Sequence, residues 1–318
     1  MNGPTVTSPD ASVPSGPLRP ARPVRGVVAD DGVALDVTIR GSHGPTVVFS
    51  HGFTVDSQDW DLQIAALEPH ARVVTWDQRG HGRSGWGDPA HGTVDQTGRD
   101  LAAVVAAVAP TSPVVLVGHS MGGMSILALA RRHPEWFGTR VVGAFLVATS
   151  AGELVREGPL GRVHDAARRL GLMPAVMAGA RWAAPVADRL PWRDSRLGRW
   201  AVRHMLFTDE ATDEEVRRAQ GVTEALPLAV GSAFGGSLLA HDESGALPVL
   251  RRVPVTVVAA DADRLTPAEH GRRITEALGP DARLVQVPGA AHAVNRTHHE
   301  VVGEALLDLV RHTCPSGH

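Results

Sequence analysis

The chain has 318 residues, 43% of them hydrophobic, and a formal charge of −3 from 31 basic and 34 acidic side chains. That length and apolar content allow one large core with room for a small appended subdomain. The near-neutral balance offers no electrostatic footprint for nucleic acid or an anionic membrane surface, so neither is expected as a partner. Every basic residue is an arginine and tyrosine is absent, and neither fact points to a function. The single cysteine, Cys314, excludes an internal disulfide and a cysteine-based metal site. It leaves the compartment open and accepts a reducing one, and a cytoplasmic location is the expectation. Oligomeric state is not legible.

The first 26 residues hold Pro4, Pro9, Pro14, Pro17, Pro20 and Pro23 with no apolar core segment. They read as a flexible leader rather than a signal peptide, with order beginning near Val27. Val33–Ile39 alternates loosely and reads as an outer strand. Pro45–Ser50 and Arg72–Trp76 are short, nearly all-apolar runs, as expected of strands buried on both faces. Trp60, Ile64 and Leu67 lie between them at helical spacing. Leu101–Val108 is an apolar helix segment, Val114–Val117 a strand, Met121–Arg132 a helix and Val141–Val147 a strand. From about Ser150 to Leu239 the alternation stops, and helical pieces rich in Arg, Ala, Trp and Met take its place. Val253–Val258 restarts the strands, followed by the helix Ala268–Leu278 and a last strand, Arg283–Val287. A closing helix, Glu300–Arg311, has Val301, Val302, Ala305, Leu306, Leu309 and Val310 as its apolar face. No run of about 18 apolar residues is present, so no transmembrane helix is expected.

Strands alternating with helices imply a mainly parallel sheet covered on both faces, an α/β fold. Ligands bind at the carboxyl edge of such sheets. Residues 150–239 are therefore expected to form a helical cap over that edge. Residues 27–149 and 240–318 make the core, and residues 1–26 the leader.

Chemistry concentrates at Gly118–Gly123, which reads GHSMGG between a strand and a helix. In the G-x-S-x-G pattern, Gly118 and Gly122 let neighbouring backbone come close, and Ser120 is lifted clear at the sheet edge. The free N–H groups of the following helix suit a developing oxyanion. A glycine-rich turn with a capping serine gives the same five letters, and it is the strand before and the helix after that favour a nucleophile. A serine needs a base, and the base an orienting carboxylate, in the chain order serine, acid, histidine. His292 is the candidate base, on the loop after the last strand; His298 and His299 lie nearer the final helix. Asp263 is the favoured acid, close to Thr266 and Pro267 at the next helix start. Asp261 is the alternative acid and Glu153 a remote third choice. The second half of the oxyanion site is expected from the backbone N–H of Phe53, after His51 and Gly52, with that of Met121 as the first. The loop Asp77–Ser84 carries glycines and arginines but lacks a phosphate-loop lysine, and reads as structural. His81 and His119 read as packed loop residues, and Asp77 has no assigned task.

With these residues in place, the chain resembles the α/β-hydrolase superfamily over roughly Val27 to Arg311, in its esterase, lipase and cofactor-independent perhydrolase-like branch. The marks are Ser50–Phe53, Asp77–Ser84, Gly118–Gly123, Asp263–Pro267 and Pro288–His292, in that order. The resemblance implies an eight-stranded, mostly parallel sheet with the cap inserted after the sixth strand. It implies Ser120, Asp263 and His292 as a triad, Phe53 and Met121 as oxyanion donors, and no cofactor or metal. It also favours Asp263 over Asp261. Two glycines common in the family are replaced here by Ala260 and Ala291. Epoxide hydrolases and haloalkane dehalogenases of this fold carry aspartate at the nucleophile position, so the serine disfavours both.

The expected activity is hydrolysis of a carboxylic ester through an acyl-enzyme. The cap's Leu170, Leu172, Met173, Met177, Trp182, Trp192, Leu206, Phe207, Leu226, Leu228, Phe234, Leu238 and Leu239 point to a small or medium apolar substrate. Arg156, Arg162, Arg168 and Arg169 could meet an anionic acyl group or simply face solvent. The alternatives are a perhydrolase or carbon–carbon bond hydrolase using the same triad, and a catalytically silent binding protein.

Overall fold

The computed structural model describes residues 21–154 and 195–313, together with Leu170 and Gly179. Eight strands form one sheet: β1 Arg22–Val24, β2 Val37–Arg40, β3 Thr46–Ser50, β4 Arg72–Trp76, β5 Val114–His119, β6 Val141–Val147, β7 Val255–Ala260 and β8 Arg283–Val287. Their order is β1-β2-β4-β3-β5-β6-β7-β8. The first two pairings are antiparallel and all the others parallel. The sheet starts earlier than Val27. Arg22–Val24, inside the proline-rich leader, pairs with Val37–Ile39 and supplies the eighth strand. Pro23 is tolerated there because β1 is an edge strand. The rest of the leader, residues 1–20, lies outside the described residues.

The central strands are buried on both faces, and their side chains divide by alternation. Val47 and Phe49 of β3 enter one core layer, while Val48 enters the other. On β5, Val115 and Val117 join the first layer, and Val114 and Leu116 the second. The first layer is covered by helices α1 Asp61–Leu67 and α10 His299–Thr313, through Ile64, Leu67, Leu306 and Leu309. The second is covered by α2 Val94–Val108, α3 Met121–Arg132 and α8 Ala268–Leu278, through Leu101, Ile126 and Ile274. Helix α2 begins a full turn or more before Leu101 because the Thr93 hydroxyl caps it, accepting from Gln96 N–H at 3.1 Å. On α10 the buried stripe runs Val302, Ala305, Leu306, Leu309 and Val310, and Val301 faces solvent.

Between β6 and β7 the chain leaves the sheet. Its described helices there are α4 Arg196–Leu206, α5 Asp213–Ala225 and α6 Leu228–Leu239, with a short α7 Leu247–Leu250 before β7. The two ends of this insertion lie together: Glu243 N–H donates to Ala151 C=O at 2.7 Å, and Gly152 bridges Asp242. A segment whose ends meet can be inserted without disturbing the sheet. Phe234 and Val230 of α6 pack on Met121, with Phe53 and Leu226 against the same cluster. The cap side chains Leu172, Met173, Met177, Trp182 and Trp192 and the arginines 156, 162, 168 and 169 lie outside the described residues. Leu170 is exposed. Among the described residues, no single helix is long and apolar enough to cross a membrane.

The loop after β4 is braced by charge. Arg79, fully buried, meets Asp100 of α2 at 2.6 and 2.7 Å and Asp31 at 2.7 and 3.0 Å. Asp77 accepts from the N–H groups of Ser57 and Arg83, both at 2.9 Å. These contacts give the Asp77–Ser84 loop a structural task, as its sequence suggested. Removing one partner of a buried pair leaves an uncompensated charge. Asp100→Ala is accordingly expected to cost about 3 kcal/mol, measured by urea denaturation, whereas Arg83→Ala, at an exposed pair, is expected to cost under about 1 kcal/mol.

Candidate active site

Strand β5 runs through Gly118 and His119, and the chain turns at Ser120. The serine has φ +50° and ψ −117°, a conformation that L-residues rarely adopt. It is held from both sides. Its N–H donates to Val147 C=O at 2.9 Å, and its C=O accepts from the Thr149 hydroxyl at 2.7 Å. The glycines are sterically required. A Cβ on Gly118 would lie 2.6 Å from the Gly122 carbonyl, and one on Gly122 would run into the Ser50 carbonyl. Thr54, Ala148 and Glu153 also have positive φ, so unusual backbone gathers in the loops after β3, β5 and β6.

Asp263 follows β7, and His292 follows β8. His292 Nδ1 donates to Asp263 Oδ2 at 2.8 Å. Both side chains are at most 5% exposed. Three further donors hold the carboxylate: Leu265 N–H at 2.8 Å, Thr266 N–H at 2.9 Å and the Thr266 hydroxyl at 2.7 Å. Burial works against the charge of Asp263, yet the imidazole and these donors outweigh it and hold its pKa below the ordinary value. Asp261 is exposed and takes Gln286 Nε2 at 2.7 Å. Glu153 is half exposed and lies 3.8 Å from Arg273. Of the three acids considered, only Asp263 meets the imidazole.

Ser120 is 9% exposed, and its hydroxyl makes no hydrogen bond among the described residues, including to His292. Links between a nucleophile and its base are often long in unliganded enzymes and tighten with substrate. The N–H groups of Phe53 and Met121 also donate to no acceptor among the described residues. The Phe53 turn is set by His51, whose Nδ1 donates to Gly52 C=O at 2.7 Å and whose Nε2 accepts from Gln78 N–H at 2.8 Å. His81 is neutral: burial and then the neighbouring His51 push its pKa down to about 3. Its ring stacks edge-on against Phe53 and Phe234.

Sequence reasoning missed a second charged pair. His119 Nδ1 faces Asp59 Oδ2 at 3.1 Å, and its Nε2 faces the carbonyl of His292 at 3.0 Å. Both partners are acceptors, so the ring satisfies them together only as an imidazolium. Asn295 Nδ2 completes Asp59 at 2.9 Å. Burial disfavours both charges, but the hydrogen bond and attraction between the partners outweigh it, raising His119 and lowering Asp59. The pair ties η1, the 3-10 turn Ser57–Trp60, to the backbone of His292. Nothing in the spacing of Asp59, His119 and Asn295 announces this. A histidine beside the nucleophile was the one available signal.

His292, His119 and Phe53 line a cleft together with Leu206, Phe207 and Val222 of the insertion. Among the described residues, no group of three or more His, Cys, Asp or Glu side chains is placed to hold a metal ion.

The alpha/beta hydrolase family model matches residues 47–305, most of the chain. This protein belongs to the alpha/beta hydrolase family. A non-heme haloperoxidase of Rhodococcus erythropolis is 28% identical over 287 residues, covering 89% of this chain and 98% of its own. A protein of Agrobacterium fabrum, provisionally named carbamate hydrolase RutD, is 28% identical over 275 residues, covering 85% and 94%. Among solved structures, an esterase from Thermogutta terrifontis superposes with a TM-score of 0.72 at 21% identity, covering 93% of this chain and 100% of that one. The chain is thus an enzyme-type α/β-hydrolase, and its eight-stranded, mostly parallel sheet is the family's.

The His119–Asp59 pair makes stability depend on pH with a definite sign. His119 is raised, so its contribution is complete below the ordinary value of 6.5 and is lost as pH rises through the folded-state value. Asp59 is lowered, so its contribution is present above 3.8 and is lost as pH falls through its folded-state value. Urea midpoints are expected to fall as pH rises above the ordinary histidine value of 6.5. His119→Gln should flatten that fall, and equal slopes in the two proteins would remove His119 as the titrating group.

Proposed function

We propose that this α/β-hydrolase is a serine hydrolase that cleaves carboxylic esters through an acyl-enzyme, on a small or medium apolar substrate. The observation that carries the reading is the 2.8 Å hydrogen bond from His292 Nδ1 to Asp263 Oδ2. With its proton committed to the carboxylate, Nδ1 leaves Nε2 as the basic nitrogen. The strained turn at Ser120 and the free N–H groups of Phe53 and Met121 support the same reading.

In this mechanism Ser120 Oγ attacks the substrate carbonyl carbon as His292 Nε2 takes the hydroxyl proton. Asp263 stays ionised and stabilises the imidazolium. The oxyanion is held by the Phe53 and Met121 N–H groups, which have no competing acceptor among the described residues. The imidazolium then protonates the departing alkoxide, leaving an acyl-serine. Water attacks that ester with His292 again as base, and the carboxylic acid leaves with Ser120 restored. Residues 150–239 act as the cap, and Leu206, Phe207 and Val222 supply an apolar wall that excludes water.

A second reading follows from the haloperoxidase likeness. Peroxide in place of water would attack the same acyl-serine and release a peracid, with no change in the residues used. Carbamates present the same carbonyl to the same serine, which accommodates the name of the Agrobacterium relative.

Ser120→Ala is expected to lower p-nitrophenyl ester hydrolysis by about five orders of magnitude and to abolish labelling by a fluorophosphonate probe. Labelling that persists in the variant would end the serine assignment. An unlabelled, inactive parent would mark a silent binding protein. Peracid formation in the presence of peroxide, measured beside ester hydrolysis, separates the second reading. Asp263→Asn should lower kcat by about 10³–10⁴-fold, while Asp261→Asn should stay within about two-fold of the parent. The opposite pattern would transfer the acid's role to Asp261.

A further inference from the structure

The cleft beside His292 is not uniformly apolar. Two guanidinium groups converge on one oxygen at its rim: Arg218 of α5 and Arg296 of α9, Val294–Thr297, both donate to the carbonyl of Gln58, at 3.0 and 3.4 Å. Arg218 has a carboxylate partner, Asp61 Oδ2, at 3.1 Å. Arg296 has none among the described residues, and its long bond to Gln58 is its sole hydrogen bond there.

The carboxylates that share the cleft are already engaged. Asp59 is held by His119 and Asn295. Glu215 accepts from the N–H and the hydroxyl of Thr212 in the capping box of α5, both at 2.9 Å. Asp56 caps the 3-10 turn, accepting from Gln58 N–H at 2.9 Å. Asp59, Asp61 and Glu215 still act electrostatically on Arg296, so the cleft carries no net positive charge, but none of them meets its guanidinium, whose N–H groups stay largely uncommitted in a half-buried position. Burial, and then the charge of Arg218, hold the Arg296 guanidinium below the ordinary arginine range. A guanidinium is satisfied by planar anions, which it binds through two parallel hydrogen bonds.

We propose that Arg296, with Arg218 beside it, is an anion subsite of the cleft, and that the preferred substrate is an ester carrying a carboxylate group. This inference rests on the ester-hydrolase reading and narrows it. The substrate's scissile carbonyl lies at Ser120, its chain crosses the apolar wall of Leu206, Phe207 and Val222, and its carboxylate ends on Arg296. Because Arg296 stands four residues after His292, the subsite and the base are set by one loop and its short helix.

The test compares matched pairs. On the acyl side, mono-p-nitrophenyl adipate is set against p-nitrophenyl hexanoate, which replaces the terminal carboxylate by methyl. On the alcohol side, the hexanoate ester of 4-hydroxyphenylacetate is set against that of its methyl ester. In at least one pair the charged member is expected to show a kcat/KM about ten-fold or more higher at low ionic strength, falling with added salt. Arg296→Met should cut the charged-to-neutral ratio in that pair by about ten-fold or more, chiefly through KM, while Arg296→Lys should retain part of it. Ester turnover with no preference in either pair overturns the inference alone. So does a loss in Arg296→Met that is equal for both members, which would make the arginine a tether between α9 and Gln58. A parent that turns over neither pair overturns the ester reading and this inference with it.

Discussion

The backbone at Ser120 is the constraint on which the site depends. A serine at φ +50° costs of order 1–3 kcal/mol, and it persists because parallel neighbours over-determine it. Ser50 is in register with Gly118 on one side of β5, and Val147 with His119 on the other. The carbonyls of Ser50 and Val147 are thereby fixed where Gly122 must slide past one and Ser120 N–H must find the other. The turn is a consequence of sheet register. A shift of either neighbouring strand would remove both its supports and its need for glycine.

Around that turn, buried charge acts as a set of fasteners at the carboxyl ends of the strands. Asp263 orients His292 from one direction. Asp59, through the imidazolium of His119, holds the backbone of the same histidine from another. Arg79, with Asp31 and Asp100, stiffens the loop on which His81 and Gln78 stand, and Gln78 in turn grips His51 beside the Phe53 turn. Each fastener joins elements distant in the chain. The buried charges of Arg79, Asp263 and Asp59 are each matched by partners, as a low-dielectric interior demands. In the proposed mechanism, groups supported in this way need little reorganisation during reaction, which is the condition for electrostatic catalysis.

The insertion leans over this frame without sharing in its construction. Its ends meet at Ala151 and Glu243, so its helices can vary while the sheet stays intact. Those helices bring an apolar wall and Arg218, and the loop after β8 brings Arg296. The proposed chemistry is thus set by the sheet edge, and the proposed preference by what leans over it.

Much of this was legible in the sequence. Apolar runs flanked by turns marked the central strands, since a strand buried on both faces has no polar side to show. GHSMGG marked the turn, since only glycine fits beside those carbonyls. Chain order pointed to Asp263 and His292. Two things were decided by tertiary structure alone, and a third, the preference for Asp263 that the sequence already carried, received its physical reason there. Arg22–Val24 became a strand because β2 offered it an edge, a partner that a three-residue, proline-containing segment cannot announce. Asp263 rather than Asp261 met the imidazole because two residues of displacement separate a buried loop position from an exposed one. Asp59, His119 and Arg296 acquired their places from contacts across 60 to more than 230 positions of sequence, and a pairing at that range leaves no local pattern to read.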